Sequence, residues 1–467
     1  MNGKREGGPA KENVGPIGIA PSDATHLEKA ATALLAAFKP DEVDSAESTE
    51  SWTPDLPVAG NLTYDHSMGP MWRGRLDEFG RHVEYLAFLS KSGIFFGLDK
   101  EGLASLDLLA EEWARNAALS GLSTWAKMRE RLLHWCWLRI EARSDVTSAS
   151  YILSDLNSDL SVHEVWVQIA GLDVEDRVPV GVVELVGVTS ERVAAWSQAI
   201  QASPEKQERA RATYRKTWQG RTAAVYRGRG DTSAVAEAAI EHAERACGLL
   251  RVVDPRSTNP TTRSCLQPLT LSGQVTMREL LYDPQSPRPL MSSIPAPYPP
   301  YGVGITRTNL RALWERASLR DIHALLLADP CSPFQADLIR AALIHSRQRL
   351  STDPIEKLVF AITALEAILF AGKRGLYQDT LCRRLCGLLA GKEPMREHIA
   401  KTVQEAYRLR SQFLHHGQRL ENLRTIEDLL LLSWLLFTRT LANQGSWNCL
   451  DDFCSAMDTD YKSRFPN

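Results

Sequence analysis

The sequence predicts an α+β protein: a mixed N-terminal α/β region followed by a C-terminal all-α helical bundle. Three patterns carry the prediction. Val165, Val167 and Ile169, then Val178, Val180, Val182 and Val183 after a polar turn, follow the two-residue period of strands. Thr222–Tyr226 adds a further strand, and beyond Gly228, Gly230 and Asp231 the apolar positions of Ala234–Leu250 recur every three or four residues under an Asp or Thr cap. From residue 309 almost to 445 the period is helical, with helices expected at Asn309–Ala328, Pro333–Arg349, Pro354–Ala371, Leu376–Leu389, Pro394–Leu414 and Asn422–Asn443.

A chain of 467 residues is too long for one efficient core, so more than one domain is expected. Residues 1–60, rich in Gly, Pro, Ser, Asp and Glu, read as a largely flexible arm with one apolar helical patch, Leu27 to Phe38. Residues 61–270 read as an α+β domain of unknown role, in which a short strand region precedes packed helices from Leu106 to Ile140. Trp113, Trp125, Trp135 and Trp137 on those helices point to core rather than site. Residues 271–350 read as a linker with connecting helices, because seven prolines between Tyr282 and Tyr301 deny regular hydrogen bonding. Residues 352–445 form the helical domain and 446–467 a C-terminal tail. There is no internal repeat of fixed period.

With 44% hydrophobic and 24% charged residues the composition is that of a soluble globular chain. A net charge of −3 gives no global attraction to nucleic acid, so any such contact must rest on a local basic patch. The strongly apolar stretch Leu429–Phe437 is nine residues long, against about 20 needed to cross a bilayer, and no membrane partner is expected. Eight cysteines without a disulfide-rich segment, and no apolar core of a signal peptide in the first 30 residues, point to the cytoplasm. Cys382 and Cys386, with Cys449 and Cys454, raise zinc as an alternative, but no tight CxxC pair supports it, and the cysteines are expected as small buried residues. No GxxxxGK[ST], HExxH or GxSxG string occurs, and neither a metal nor a cofactor is expected.

Three Arg–His pairs have four residues between them: Arg129 with His134, Arg340 with His345, and Arg410 with His415. The first two lie in mixed helical runs, RERLLH and RAALIH, where packed or surface roles are expected. The third lies in AYRLRSQFLHHGQ, which gathers a tyrosine, two arginines, a serine, two histidines and a glycine within eleven positions. On a regular helix Tyr407, Ser411 and His415 face one way and Arg408 nearly eclipses His415. Arg410 and His415 are about 140° apart, so their convergence requires local unwinding before Gly417 or a second subunit. The stripe Ile355, Leu358, Val359, Ile362, Leu365 and Leu369 marks a core-facing helix with Glu366 on its edge. A carboxylate placed there needs a cation, and Arg410 or Arg408 is the candidate.

DPIEKLVFAITALEAILF followed some forty positions later by YRLRSQFLHHG resembles the HEPN superfamily, specifically the Apea-like HEPN domains of prokaryotes, over about a fifth of the chain. That family is a short helical bundle with an Arg-x4-6-His motif, usually with a polar residue after the Arg, which Arg410, Ser411 and His415 match; Glu366 matches a glutamate on its first long helix. The resemblance implies a metal-independent endoribonuclease that cleaves single-stranded or loop RNA, tRNA among the candidates. It also implies a homodimer and the setting of a toxin-like antiphage effector, with a phage-derived trigger or regulatory partner. The chain departs from members controlled by modification of a tyrosine two positions after the His, since His415 is followed by His416 and Gly417.

The expected roles follow. His415 acts as general base or acid and Arg410 stabilises the transition-state phosphate. Ser411, Arg408 and His416 orient or bind the RNA, and Glu366 orients Arg410 or forms a structural salt bridge with it. Tyr407 either packs in the core or contacts a base or phosphate. For the whole cluster the alternative is a basic helix end favoured by helix electrostatics, stopped at Gly417. The alternative function is a catalytically silent scaffold that dimerises and binds RNA or a protein partner. A third reading, in which the N-terminal region is the enzyme, has no residue set behind it. Residues 1–340, which the resemblance does not reach, are expected to sense a trigger, bind substrate or restrain the effector.

Overall fold

The computed structural model describes residues 17–41, 72–76, 82–89, 95–141, 144–200, 203–269, 303–305, 318–328, 331–370, 377–416 and 423–466. The proline-rich segment and most of the N-terminal arm lie outside them. The chain is α+β and divides into two units, Met1–His163 with Gly228–Val235, and Glu164–Arg227 with Ala236–Asn467.

In the first unit α1 (Pro21–Ala37) covers the expected N-terminal patch, and Lys39–Asp41 (β1), Trp72–Leu76 (β2), His82–Leu89 (β3) and Phe95–Leu98 (β4) form an antiparallel sheet in the order β1-β4-β3-β2. Three helices follow: α2 (Lys100–Arg115), α3 (Trp125–Glu141) and α4 (Ser148–Asp159). Asp99 and Thr147 start α2 and α4 by accepting the Gly102 and Ser150 amides. Trp113 and Trp135 are buried, whereas Trp125 is 44% exposed and donates through Nε1 to the Asp107 carbonyl. Buried Arg131 ties this unit together by ion pairs to Asp155, Asp159 and Asp231 and a hydrogen bond to Ser123. Burial opposes its charge, but the Asp155 and Asp231 bonds prevail and raise its pKa.

The second unit holds most of a five-stranded sheet whose order is Gln267–Pro268 (β10), Ser161–Ala170 (β5), Thr222–Gly230 (β9), Val183–Gly187 (β8) and Val178–Val180 (β7). Gly181 at φ +64 makes the β7–β8 turn, which leaves Val182 exposed. A short parallel pair joins Leu172–Val174 (β6) to Val303–Ile305 (β11). Between β8 and β9 run α5 (Ser190–Ala199) and α6 (Pro204–Trp218), packed through Trp196, whose ring sits edge-on at 5.0 Å to Trp166 and 5.7 Å to Trp218. Helix α7 (Thr232–Val253) begins at Asp231, whose carboxylate accepts the Ala234 amide, as the sequence suggested.

The remaining helices are α8 (Leu319–Leu327), α9 (Pro333–Arg347), α10 (Pro354–Leu369), α11 (Tyr377–Leu389), α12 (Glu393–His416), α13 (Leu423–Ala442) and α14 (Leu450–Arg464). A Ser332–Gln335 capping box starts α9, and Asp353 with Pro354 starts α10. Helix α10 touches α9, α11, α12, α13 and α14 and is the centre of the bundle. Among the described residues no helix is long and apolar enough to cross a membrane.

Two features were not read from the sequence. The first is a buried polar strap that fixes the segment after α7: Arg349 bonds to Asp254, the Arg256 carbonyl and Thr262, while Lys357 Nζ donates to the Thr262 carbonyl. Burial, reinforced by Arg349, lowers the Lys357 pKa from 10.5 to about 8. A cation whose folded pKa is depressed costs stability below that value, and the cost disappears as pH rises towards the unfolded value. The stability difference between wild type and Lys357→Met is therefore expected to move in favour of wild type from about pH 8 to 10.5. A difference that stays flat across that window in thermal melts would remove the charge from this site.

The second is α14, placed in the tail by the sequence reading. It buries Phe453, Cys454 and Met457 against the bundle, and its Asp458 accepts from buried Arg384 and from Arg383. Burial raises the Asp458 pKa, but those two arginines outweigh it and hold the carboxyl below its usual range. Asp458→Ala leaves the Arg384 charge uncompensated and is expected to cost about 3 kcal/mol in urea unfolding at neutral pH. An unchanged midpoint would show that α14 is held by its apolar face alone.

Candidate active site on helices α10 and α12

Glu366 lies on the edge of α10 that faces α12, beside buried Ile362, Leu365 and Leu369. Burying Ile399, Val403, Ala406 and Leu409 turns α12 so that Tyr407 and Arg410 reach that edge. The Tyr407 hydroxyl donates to Glu366 Oε1 at 2.8 Å, and Arg410 Nη1 donates to the same oxygen at 3.0 Å. The Glu366 and Arg410 side chains are 25% and 27% exposed, so the pair is shielded without being sealed off. Burial first, and then the bond to the Glu366 carboxylate, raise the Tyr407 pKa, which keeps the hydroxyl a donor.

Of the two candidate cations for Glu366, the geometry brings in Arg410. Arg408 turns outward to the carboxylate three residues before it, Glu405, whose bond raises the Arg408 pKa. Ser411 is exposed. Helix α12 runs unbroken to His416, so the backbone at position 415 lies about 140° around the axis from Arg410. The side chains of His415 and His416 lie outside the described residues.

In the other two Arg–His pairs the arginine is held by a nearby aspartate. Arg129 pairs with Asp107, and His134 bonds to the Tyr151 hydroxyl at 2.6 Å and stacks on Trp137. Arg340 pairs with Asp337, while His345 is wholly buried against Phe437 and its ring nitrogens find no partner among the described residues. Burial, then the nearby Arg349 charge, push the His345 pKa down to about 3, so this imidazole is neutral and has no acid–base use near pH 7.

Of the four cysteines raised as a zinc alternative, Cys386 and Cys454 are buried and Cys382 and Cys449 half-buried; Cys454 donates to the Leu369 carbonyl and Cys386 to the Arg396 carbonyl. Among the described residues no three His, Cys, Asp or Glu side chains are grouped so as to hold a metal ion.

The shared oxygen of Glu366 was not legible beforehand, although the spacing Tyr407-x2-Arg410, one helical turn, is the signal that both side chains can reach one acceptor. No protein-family model, curated protein or solved structure matches the chain.

Glu366→Gln removes the charge facing Arg410 and is expected to cost about 2 kcal/mol, with about 1.5 kcal/mol for Tyr407→Phe. Because Tyr407 and Arg410 share one oxygen, the Tyr407→Phe/Arg410→Met pair should be non-additive in chemical denaturation. Strict additivity would mean that the two bonds are independent.

Proposed function

We propose that the chain is a metal-independent endoribonuclease of HEPN type whose acting groups are Arg410 and His415. The observation that carries this reading is the Glu366 carboxylate, which fixes a partly open guanidinium on the helix that ends in Ser411, His415 and His416. RNA brings its own nucleophile, so the protein must supply only proton transfer and charge stabilisation. In this mechanism His415 takes the 2′-hydroxyl proton or protonates the leaving 5′-oxygen. The 2′-oxygen bonds to phosphorus as the P–O5′ bond breaks, leaving a 2′,3′-cyclic phosphate and a 5′-hydroxyl. Arg410 holds the non-bridging oxygens with its forked donors. Glu366 and Tyr407 aim Arg410; Arg408, Ser411 and His416 contact the RNA.

On one regular helix positions 410 and 415 lie about 140° apart around the axis, so in this reading a second copy completes the site and the working unit is a homodimer. The setting that fits is a cytoplasmic toxin-like antiphage effector, released by a phage-derived trigger or a regulatory partner and acting on RNA such as tRNA. The second reading, a silent scaffold that dimerises and binds RNA or a protein, is favoured by the same divergence if the two copies do not bring Arg410 and His415 together.

Purified wild type incubated with total cellular RNA and excess chelator is expected to produce cyclic-phosphate ends, and His415→Ala and Arg410→Ala are each expected to produce none. Mixing the two inactive variants should restore cleavage if one site draws on two chains. Equal activity in wild type and His415→Ala would remove the assignment; silence of all three proteins with RNA still bound would select the scaffold.

A further inference from the structure

Exposed arginines on the helices of this protein repeatedly have a carboxylate three or four residues earlier: Arg115 with Glu111, Arg209 with Glu205, Arg340 with Asp337, Arg408 with Glu405 and Arg464 with Asp460. The end of α6 breaks the pattern. Positions 211 and 212, four and three before Arg215, are Arg and Ala, and those before Lys216 are Ala and Thr. Arg215, Lys216 and, just beyond the helix, Arg221 are exposed and form no ion pair among the described residues. From Pro204 to Arg221 six cations face two carboxylates, in a chain whose net charge is −3.

The fold fixes where these charges sit. Ala210, Tyr214, Thr217 and Trp218 bury the opposite face of α6 in the tryptophan cluster. Gly220, at φ +72, turns the chain back: its amide donates to the Val188 carbonyl, and the Arg221 amide donates to the Trp218 carbonyl. Arg221 is thereby held beside the last turn of the helix. Favourable interaction with the helix dipole accounts for two cations in that turn, but not for a third just ahead of β9.

We propose that the C-terminal end of α6 and the start of β9 form a docking surface for the phosphate backbone of single-stranded RNA. The choice of RNA as the polyanion rests on the nuclease reading above. A membrane surface fits less well, because none of the exposed large hydrophobic side chains among the described residues belongs to α6 or β9, and a helix lying in a bilayer needs an apolar face to insert. Contacts of this kind attract any sequence and weaken with salt.

The test uses full-length His415→Ala protein and an unstructured labelled oligoribonucleotide titrated at several salt concentrations, so that binding is measured apart from cleavage. Adding Arg215→Glu, Lys216→Glu and Arg221→Glu together should weaken binding about tenfold or more at low salt and make the log–log salt slope shallower by about 2, whatever the RNA sequence. A control carrying Arg245→Glu, Arg340→Glu and Arg464→Glu makes the same change in net charge elsewhere and should keep most of the affinity. Melting curves and circular dichroism establish that each variant is folded, and glutamine replaces glutamate where one is not. Unchanged affinity and slope in the α6 variant, an equal loss in the control, or a loss confined to anionic lipid vesicles would each overturn the surface. Wild-type protein that fails to cleave but binds RNA through these three residues would leave the surface standing and remove the nuclease; unchanged binding in the His415→Ala background, with cleavage intact when the same three glutamates are placed in the wild-type background, would do the reverse.

Discussion

The second unit is organised by the burial of α10. Its Ile355, Leu358, Ala361, Ile362, Ala364, Leu365, Ile368 and Leu369 are all buried, more than one stripe's worth, because neighbours close in from several sides. A helix enclosed in this way cannot rotate without driving polar groups into the core. Its register therefore dictates where Lys357 and Glu366, the charged side chains beyond its first-turn Glu356, emerge. Lys357 meets the segment after α7, and Glu366 meets α12.

These two contacts use the same physics for different ends. Lys357 and Arg349 are fully enclosed and spend their donors largely on backbone carbonyls and Thr262, with Asp254 the countercharge of Arg349. Such groups hold a loop of poor regular structure against helices, and they favour one arrangement because every alternative strands a buried cation. The Glu366 pair is about a quarter exposed, which leaves the Arg410 guanidinium within reach of a ligand. The difference in exposure separates an arginine enclosed in the fold from one that keeps part of its guanidinium at the surface.

The helices of the bundle were legible because their apolar periodicity is strong, and Asp353-Pro354 and Ser332-Pro333 mark two starts in the sequence itself. Helix α14 was not, since LDDFCSAMDTDYKSR offers only Phe453, Cys454 and Met457 as a buried face and is otherwise rich in aspartate. Its Asp458 meets Arg384, a contact between positions far apart in sequence. The edge position of Glu366 could be read from the stripe beside it. The choice of Arg410 over Arg408 could not, because it follows from how α12 rolls onto its own core residues and from Glu405 capturing Arg408. The burial of Arg251, Arg349 and Lys357 was equally hidden, since a charged residue gives no sequence sign that distant carbonyls await it.

Helix α12 thus presents two chemistries on two sides. Its inner side aims Arg410 with the help of Tyr407 and Glu366; its outer side carries Arg408, Ser411 and the backbone position of His415. A phosphate lying on one copy can be reached from one side or the other, and the unbroken helix rules out the local unwinding up to His416 that would merge them. In the nuclease reading proposed above, a second copy would have to bring its His415 to the Arg410 of the first, since one regular helix keeps the two positions apart. Under that reading dimerisation is a requirement of the proposed cleavage, and a trigger acting on the association of two chains would control it while leaving the Glu366, Tyr407 and Arg410 contacts in place.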